Sequence, residues 1–160
     1  MKALRFISVF LVFIMLAGST ISVAAQNYIF QVPEKAVVVT INVDGSISID
    51  YTMTFLNDAA AHEIDIVDIG LPNYYYDLRA ITGDINGIPI KKITESDIVS
   101  PGISLYLQEN TIPTGGEGTV HVFIPSVANA VYPSSAEESE AYGSMVFYPH
   151  YYYPENCYGN

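Results

Sequence analysis

The residues whose spacing best suits them to chemistry are four acids, Asp58, Glu63, Asp65 and Asp68, all within 11 positions. Calcium takes about six to eight oxygen ligands, often carboxylates from a loop and the strand beside it. A calcium ion held by these four residues is therefore one expectation. A plainer one competes with it. No D-x-D-x-D-G loop surrounds the acids, and Glu63 and Asp65 on the solvated face of a strand need no ligand to account for them. His62-Glu63 begins like the zinc motif H-E-x-x-H, but Ile66 stands where the second histidine belongs, and that motif requires a helix. His62, His121 and His150 are scattered, so no zinc set is read from their spacing. Cys157, the one cysteine, has no neighbouring base or helix end to lower its pKa. A lone thiol in an exported chain points to a missing partner or an intermolecular bond. No G-x-S-x-G elbow occurs. No catalytic residue is thus assigned, and no cofactor other than calcium is in view.

The elements that must position these acids are strands. Val37, Val39, Ile41 and Val43 alternate with polar residues before Asp44-Gly45, and Ile47, Ile49, Tyr51, Met53 and Phe55 alternate after it. Period-2 patterning on both sides of a turn signal predicts a β-hairpin with one buried face. Parity fixes the turn. The inward residues are odd-numbered on both arms, so a two-residue loop would set one apolar face against the other arm's polar face. A three-residue loop, Val43-Asp44-Gly45, pairs Ile41 with Ile47 and Val39 with Ile49, with Gly45 as the left-handed residue of a G1 bulge. In the next hairpin the parity reverses. Ile81, Gly83 and Ile85 are odd whereas Ile88 and Ile90 are even, so Asn86-Gly87 is a two-residue type I′ turn pairing Ile85 with Ile88. Pro89, Lys91 and Lys92 mark the 88–93 arm as a sheet edge.

Further strands are expected over 27–32 (ended by Pro33), 62–69 with Ile64, Ile66 and Asp68 on one face, 103–107, 117–124 with Val120, Val122 and Ile124 inward, and 143–148. Residues 125–141, with Pro133 and Glu137-Glu138-Ser139-Glu140, read as a long exposed loop. The pattern is all-β: an antiparallel two-layer β-sandwich of immunoglobulin-like general type with eight to nine strands.

The first 25 residues are set apart from this fold. Lys2 and Arg5 precede an apolar run, Phe6 to Ala17, and Val23-Ala24-Ala25 is a small-residue cleavage site, the layout of a secretory signal peptide. Ser19 stands where a lipoprotein signal needs cysteine. The expected organisation is a leader over 1–25, a β-sandwich domain over 26–150 and an aromatic tail over 151–160; either the sandwich closes on Tyr151-Tyr152-Tyr153, or the tail is the start of a missing continuation. Without Lys2 and Arg5 the chain carries 4 basic and 17 acidic residues, a net charge of −13. Such a field repels nucleic acid and anionic lipid and favours cations and basic surfaces. Membrane attachment is expected only through an uncleaved N-terminal segment or a missing C-terminal one. The tyrosine runs Tyr74–Tyr76 and Tyr151–Tyr153 are either contact loops or packing across the ends of the sheets.

The run Val37 to Asn57, with its DGS turn, followed by H-x-IDIVDIGLPN from His62 to Asn73, resembles the extracytoplasmic part of a family of uncharacterised exported or membrane-anchored proteins. Thr119-Val120-His121-Val122 and Phe147-Tyr148-Pro149 are weaker echoes. The resemblance implies a β-sandwich ectodomain and brings no activity with it. The functional expectation is a non-enzymatic extracytoplasmic module with a structural, adhesion or protein-interaction role, its partner a protein or the cell envelope. The alternative is a calcium-stabilised carbohydrate-binding or glycoside-hydrolysing domain. The chain contains no tryptophan to stack on sugars, although it has 13 tyrosines.

Overall fold

The longest two-stranded unit is the first hairpin, closed by a tight turn. In this computed structural model the described residues are 28–134 and 142–147. The expected leader, the tail, His150 and Cys157 lie outside them. The strands are β1 (Phe30–Ile41), β2 (Ile47–Asn57), β3 (Ile66–Gly70), β4 (Thr82–Ile85), β5 (Ile88–Pro89), β6 (Lys92–Glu95), β7 (Gly102–Tyr106), β8 (Glu117–Val127), β9 (Val131–Pro133) and β10 (Gly143–Met145). All pairings are antiparallel. They build a five-stranded sheet in the order β1-β2-β8-β4-β5, a three-stranded sheet β3-β7-β6 and a β9-β10 pair. The chain is all-β, with only two 3-10 turns, Leu78–Ala80 and Gln108–Asn110, among the described residues. No helix in them is long and apolar enough to cross a membrane.

The first turn is the three-residue loop. Val39 pairs with Ile49 and Ile41 with Ile47, the Gly45 N–H donates to the Asn42 carbonyl at 3.0 Å, and Gly45 has φ of +80°. That φ is left-handed, which glycine adopts without steric cost. Asp44 stiffens the loop by accepting from the backbone N–H and hydroxyl of Ser46. In the second hairpin Ile85 pairs with Ile88, and Asn86 and Gly87 both have positive φ, as a type I′ turn requires.

Alternation then delivers the core. Ile47, Ile49, Tyr51 and Met53 of β2 and Val120, Val122 and Ile124 of β8 are wholly buried. They form one cluster with Val67 and Ile69 of β3 and Ile103 and Leu105 of β7. Burying a side chain of this kind stabilises by about 1.5–3 kcal/mol. One polar tie joins the two sheets, and others hold loops against the end of β2. The Tyr51 hydroxyl donates to the Gly70 carbonyl at 3.3 Å. At the opposite end Asn57 Nδ2 faces the carbonyls of His62 at 2.8 Å and Pro113 at 3.2 Å.

Four expectations need correcting. Pro33 does not end a strand: β1 runs through it, and the register shift between Gln31 and Glu34 is where the proline is absorbed, since a bulge on an edge strand tolerates a missing N–H. The 62–69 segment is not one alternating strand. Ile64 makes an isolated bridge to Ile112, and the buried residues are Ile64, Val67 and Ile69, so the phase slips between 64 and 67 and Ile66 shares the outer face with Asp68. The 88–93 arm is two edges rather than one, because the chain leaves the five-stranded sheet after Pro89 and joins the three-stranded sheet at Lys92; Ile88 is consequently exposed. Finally, 125–141 is not all loop. β8 continues to Val127 with a register shift that accommodates Pro125, and β9 pairs with β10.

Candidate functional site

The four acids expected to meet at a calcium ion have separate partners. Asp58 accepts the Ala60 N–H at 2.7 Å, Glu63 accepts the Thr111 hydroxyl at 2.8 Å, and Asp65 accepts the Tyr28 hydroxyl at 2.7 Å. Burial raises the pKa of the Tyr28 phenol, and the hydrogen bond and charge of Asp65 raise it further. Asp68 takes two hydroxyls, from Ser96 at 2.6 Å and Ser104 at 2.5 Å. Among the described residues no three of His, Cys, Asp and Glu are grouped to hold a metal ion.

Asp68 instead organises a loop. The Ser96 oxygen that donates to Asp68 also accepts the N–H groups of Ile98 and Val99. This fixes residues 96–101 between β6 and β7 and leaves Ile98 66% exposed. A second loop lies beside it, since the Tyr74 hydroxyl hydrogen-bonds the Ser100 hydroxyl. That loop is shaped by Asn73. Its Oδ1 accepts the Tyr75 N–H at 2.8 Å, its Nδ2 donates to the Ala128 carbonyl at 2.9 Å, and the Ala128 N–H returns to the Tyr75 carbonyl at 2.8 Å. Tyr76 turns inward, its hydroxyl reaching the Gly102 carbonyl at 3.4 Å, while Tyr74 and Tyr75 stand 65% and 62% exposed.

The registers place these loops together. Ile47 is level with Val127, Tyr76 bridges Val127, and Gly70 is level with Gly102. The Val43–Gly45 turn, the Tyr74–Tyr75 loop, the Ile98 loop and the start of the β9-β10 hairpin therefore share one end of the sheets. Val43, Tyr132 and Val146 on these segments are exposed as well. Apolar side chains are thus displayed at this end on loops held by hydrogen bonds. Asp77 at this end keeps its carboxyl below the usual range through the backbone N–H and side chain of Arg79.

A second arrangement was not legible in the sequence. On the outer face of the five-stranded sheet, His121 Nδ1 lies 3.0 Å from Asp84 Oδ2 and its Nε2 lies 3.0 Å from Asp50 Oδ1. The three residues stand on neighbouring strands, β4, β8 and β2. Two carboxylates can both be satisfied only if both ring nitrogens donate, which is the imidazolium form. Desolvation opposes that charge, but the hydrogen bonds and charges of Asp84 and Asp50 outweigh it and hold the histidine pKa above its usual value. With both nitrogens engaged, His121 has no lone pair left for general-base work on a substrate. The outward parity of Asp50, Asp84 and His121 was a readable signal, but their juxtaposition depends on β8 lying between β2 and β4. No family model, curated protein or solved structure matches the chain.

Proposed function

We propose that this chain is a non-enzymatic extracytoplasmic module that binds another protein through the tyrosine-rich end formed by Tyr74, Tyr75 and Ile98. We infer a two-layer arrangement of immunoglobulin-like general type, because side chains of both sheets meet in one core cluster and strand-connecting loops gather at the ends. Export rests on the leader pattern of residues 1–25, and the resemblance of Val37–Asn73 to exported or membrane-anchored ectodomains points the same way. Membrane attachment, in this reading, belongs to segments flanking the module.

The observation that carries the proposal is the exposure of Tyr74, Tyr75 and Ile98 on loops pinned by Asn73, Ser96 and Asp68. Ordered loops lose little entropy on binding, and tyrosine offers a large amphipathic contact. The acidic excess of the chain, 17 acids against 6 basic residues, favours a partner with a basic rim. A photo-crosslinking side chain at Tyr75, compared with one at the exposed Ile88 of β5, tests the reading in cells that produce the protein. The proposal expects one discrete protein adduct from position 75 that is lost in an Ile98→Ser background, and none from position 88. Equal labelling from both positions, or none from either, overturns it.

A further inference from the structure

The edges of the two main sheets are treated unequally. β5 has two residues and ends in Pro89. β6 has four, begins with a lysine whose ammonium sits 3.6 Å from the Tyr106 ring centroid, and ends with Glu95. β3 has five and carries Asp68. These are ordinary protections against a further strand. β1 is different. Its first half has Pro33, a register shift, Glu34 and Lys35, but the second half, Ala36–Ile41, is six residues with neither charge nor proline. Among the described strands only β2 pairs with it.

The hydrogen-bond phase of that half can be read from the turn. The Asn42 N–H donates to the Ser46 carbonyl at 2.8 Å, so the alternation of an antiparallel ladder turns Thr40, Val38 and Ala36 toward β2. Val37, Val39 and Ile41 then direct their N–H and C=O groups to the open edge. Their side chains are on the core side, yet Val37 and Val39 are only partly buried and Ile41 is 59% exposed. Their cross-strand partners Tyr51, Ile49 and Ile47 are wholly buried. The inner row of β2 is thus fully covered and that of β1 half open.

We infer that Ala36–Ile41 is a strand-acceptor edge that takes an extended segment of another polypeptide, one whose alternate side chains are apolar and which is basic where it meets Asp44. Backbone groups of Val37, Val39 and Ile41 supply the ladder, and inward apolar residues of the incoming strand complete the cover over the same three side chains. Charge decides against a second copy. The chain has a net charge of −11, and the edge ends beside Asp44, an exposed carboxylate held ionised by Ser46. Two copies carrying this net charge repel one another, whereas a basic residue of the incoming segment meets opposite charge at Asp44. This edge is distinct from the tyrosine-rich end, and the two readings fail independently.

The test uses the full chain and a short synthetic peptide in which threonine and valine alternate between terminal lysines. Backbone amide exchange is followed by NMR with and without the peptide. The inference expects rapid exchange at Val37, Val39 and Ile41 in the free protein and protection at these three on binding. Val39→Pro removes an outward N–H while sparing the β2 ladder, and Ile41→Lys charges the edge at an exposed position. Both are expected to abolish peptide binding with the remaining amides still protected, and Tyr75→Ser to leave it unchanged. Protection at β6 or at the tyrosine-rich end instead, binding that survives Val39→Pro and Ile41→Lys, or no binding overturns the inference. So does protection already present in the free protein, which would mean a segment of the same chain or a second copy occupies the edge; sedimentation across protein concentration tells those two apart.

Discussion

Raising the pH through the titration of His121 should weaken the fold, and the Asp50–His121–Asp84 geometry sets both the sign and the size. The folded-state pKa lies above the usual 6.5 because the two carboxylates outweigh desolvation. A histidine with a raised folded pKa contributes stability that is fully present below its unfolded value and lost as pH rises through the folded one. The side chains of His121, Asp50 and Asp84 are 38%, 42% and 30% exposed, so solvent screens both pairs. Exposed ion pairs contribute about 0.2–1 kcal/mol each, and the whole effect should be of order 1 kcal/mol. The assay is urea unfolding of the wild type and His121→Gln at about pH 6 and about pH 8.5, on either side of an ordinary or modestly raised histidine pKa. The wild type should lose stability relative to the variant between the two pH values, and added salt at the lower pH should shrink the difference. Identical pH dependence of the two proteins refutes the reasoning. So does an imidazole that titrates below 6.5 by NMR, because the two carboxylates would then not be holding the cation.

Other consequences of the geometry are open to direct measurement. Gly45→Val should destabilise by about 1–2 kcal/mol in urea unfolding, purely through the left-handed backbone, since a Cβ there meets nothing within 4 Å; Gly45→Asn should recover much of the loss. Gly102→Ala should cost more, about 1–3 kcal/mol or above, because its Cβ would lie 2.6 Å from the Val99 carbonyl oxygen and 2.8 Å from that of Ile69. With Asp58, Glu63, Asp65 and Asp68 each held by a different partner, calcium and EDTA should leave the melting temperature unchanged, and a rise with calcium would revive the metal reading.

What the sequence discloses about this fold follows from the range of the interactions. The turn at Gly45 and the one at Asn86-Gly87 are local, and face parity decides each of them over a few residues. Burial of Val120, Val122 and Ile124 is legible for the same reason. Pairings across long stretches are not. His121 is 71 residues from Asp50 and 37 from Asp84, and nothing within any one segment says that β8 lies between β2 and β4. The slip at 64–67 is hidden in the sequence because apolar residues stand at 64, 66, 67 and 69, a run that satisfies either phase; the bridge from Ile64 to Ile112 decides it. Pro33 and Pro125 read as strand ends, and both are absorbed at register shifts instead.

The unequal sheets explain why the surfaces proposed for binding are peripheral. β2 is paired on both sides and contributes Ile47, Ile49, Tyr51 and Met53 with no exposure at all, so any change there is a change to the core. β1, one strand further out, has the same alternation but only partial cover, and the residue level with wholly buried Ile47 is the largely exposed Ile41. Identical patterning thus gives scaffold in one strand and an accessible edge in the next. The loops at the tyrosine-rich end follow the same logic. Asn73, Ser96 and Asp68 spend their hydrogen bonds on shaping the backbone, which leaves Tyr75 and Ile98 facing water. A fold that needed those side chains for stability would have turned them inward, as it did Tyr76.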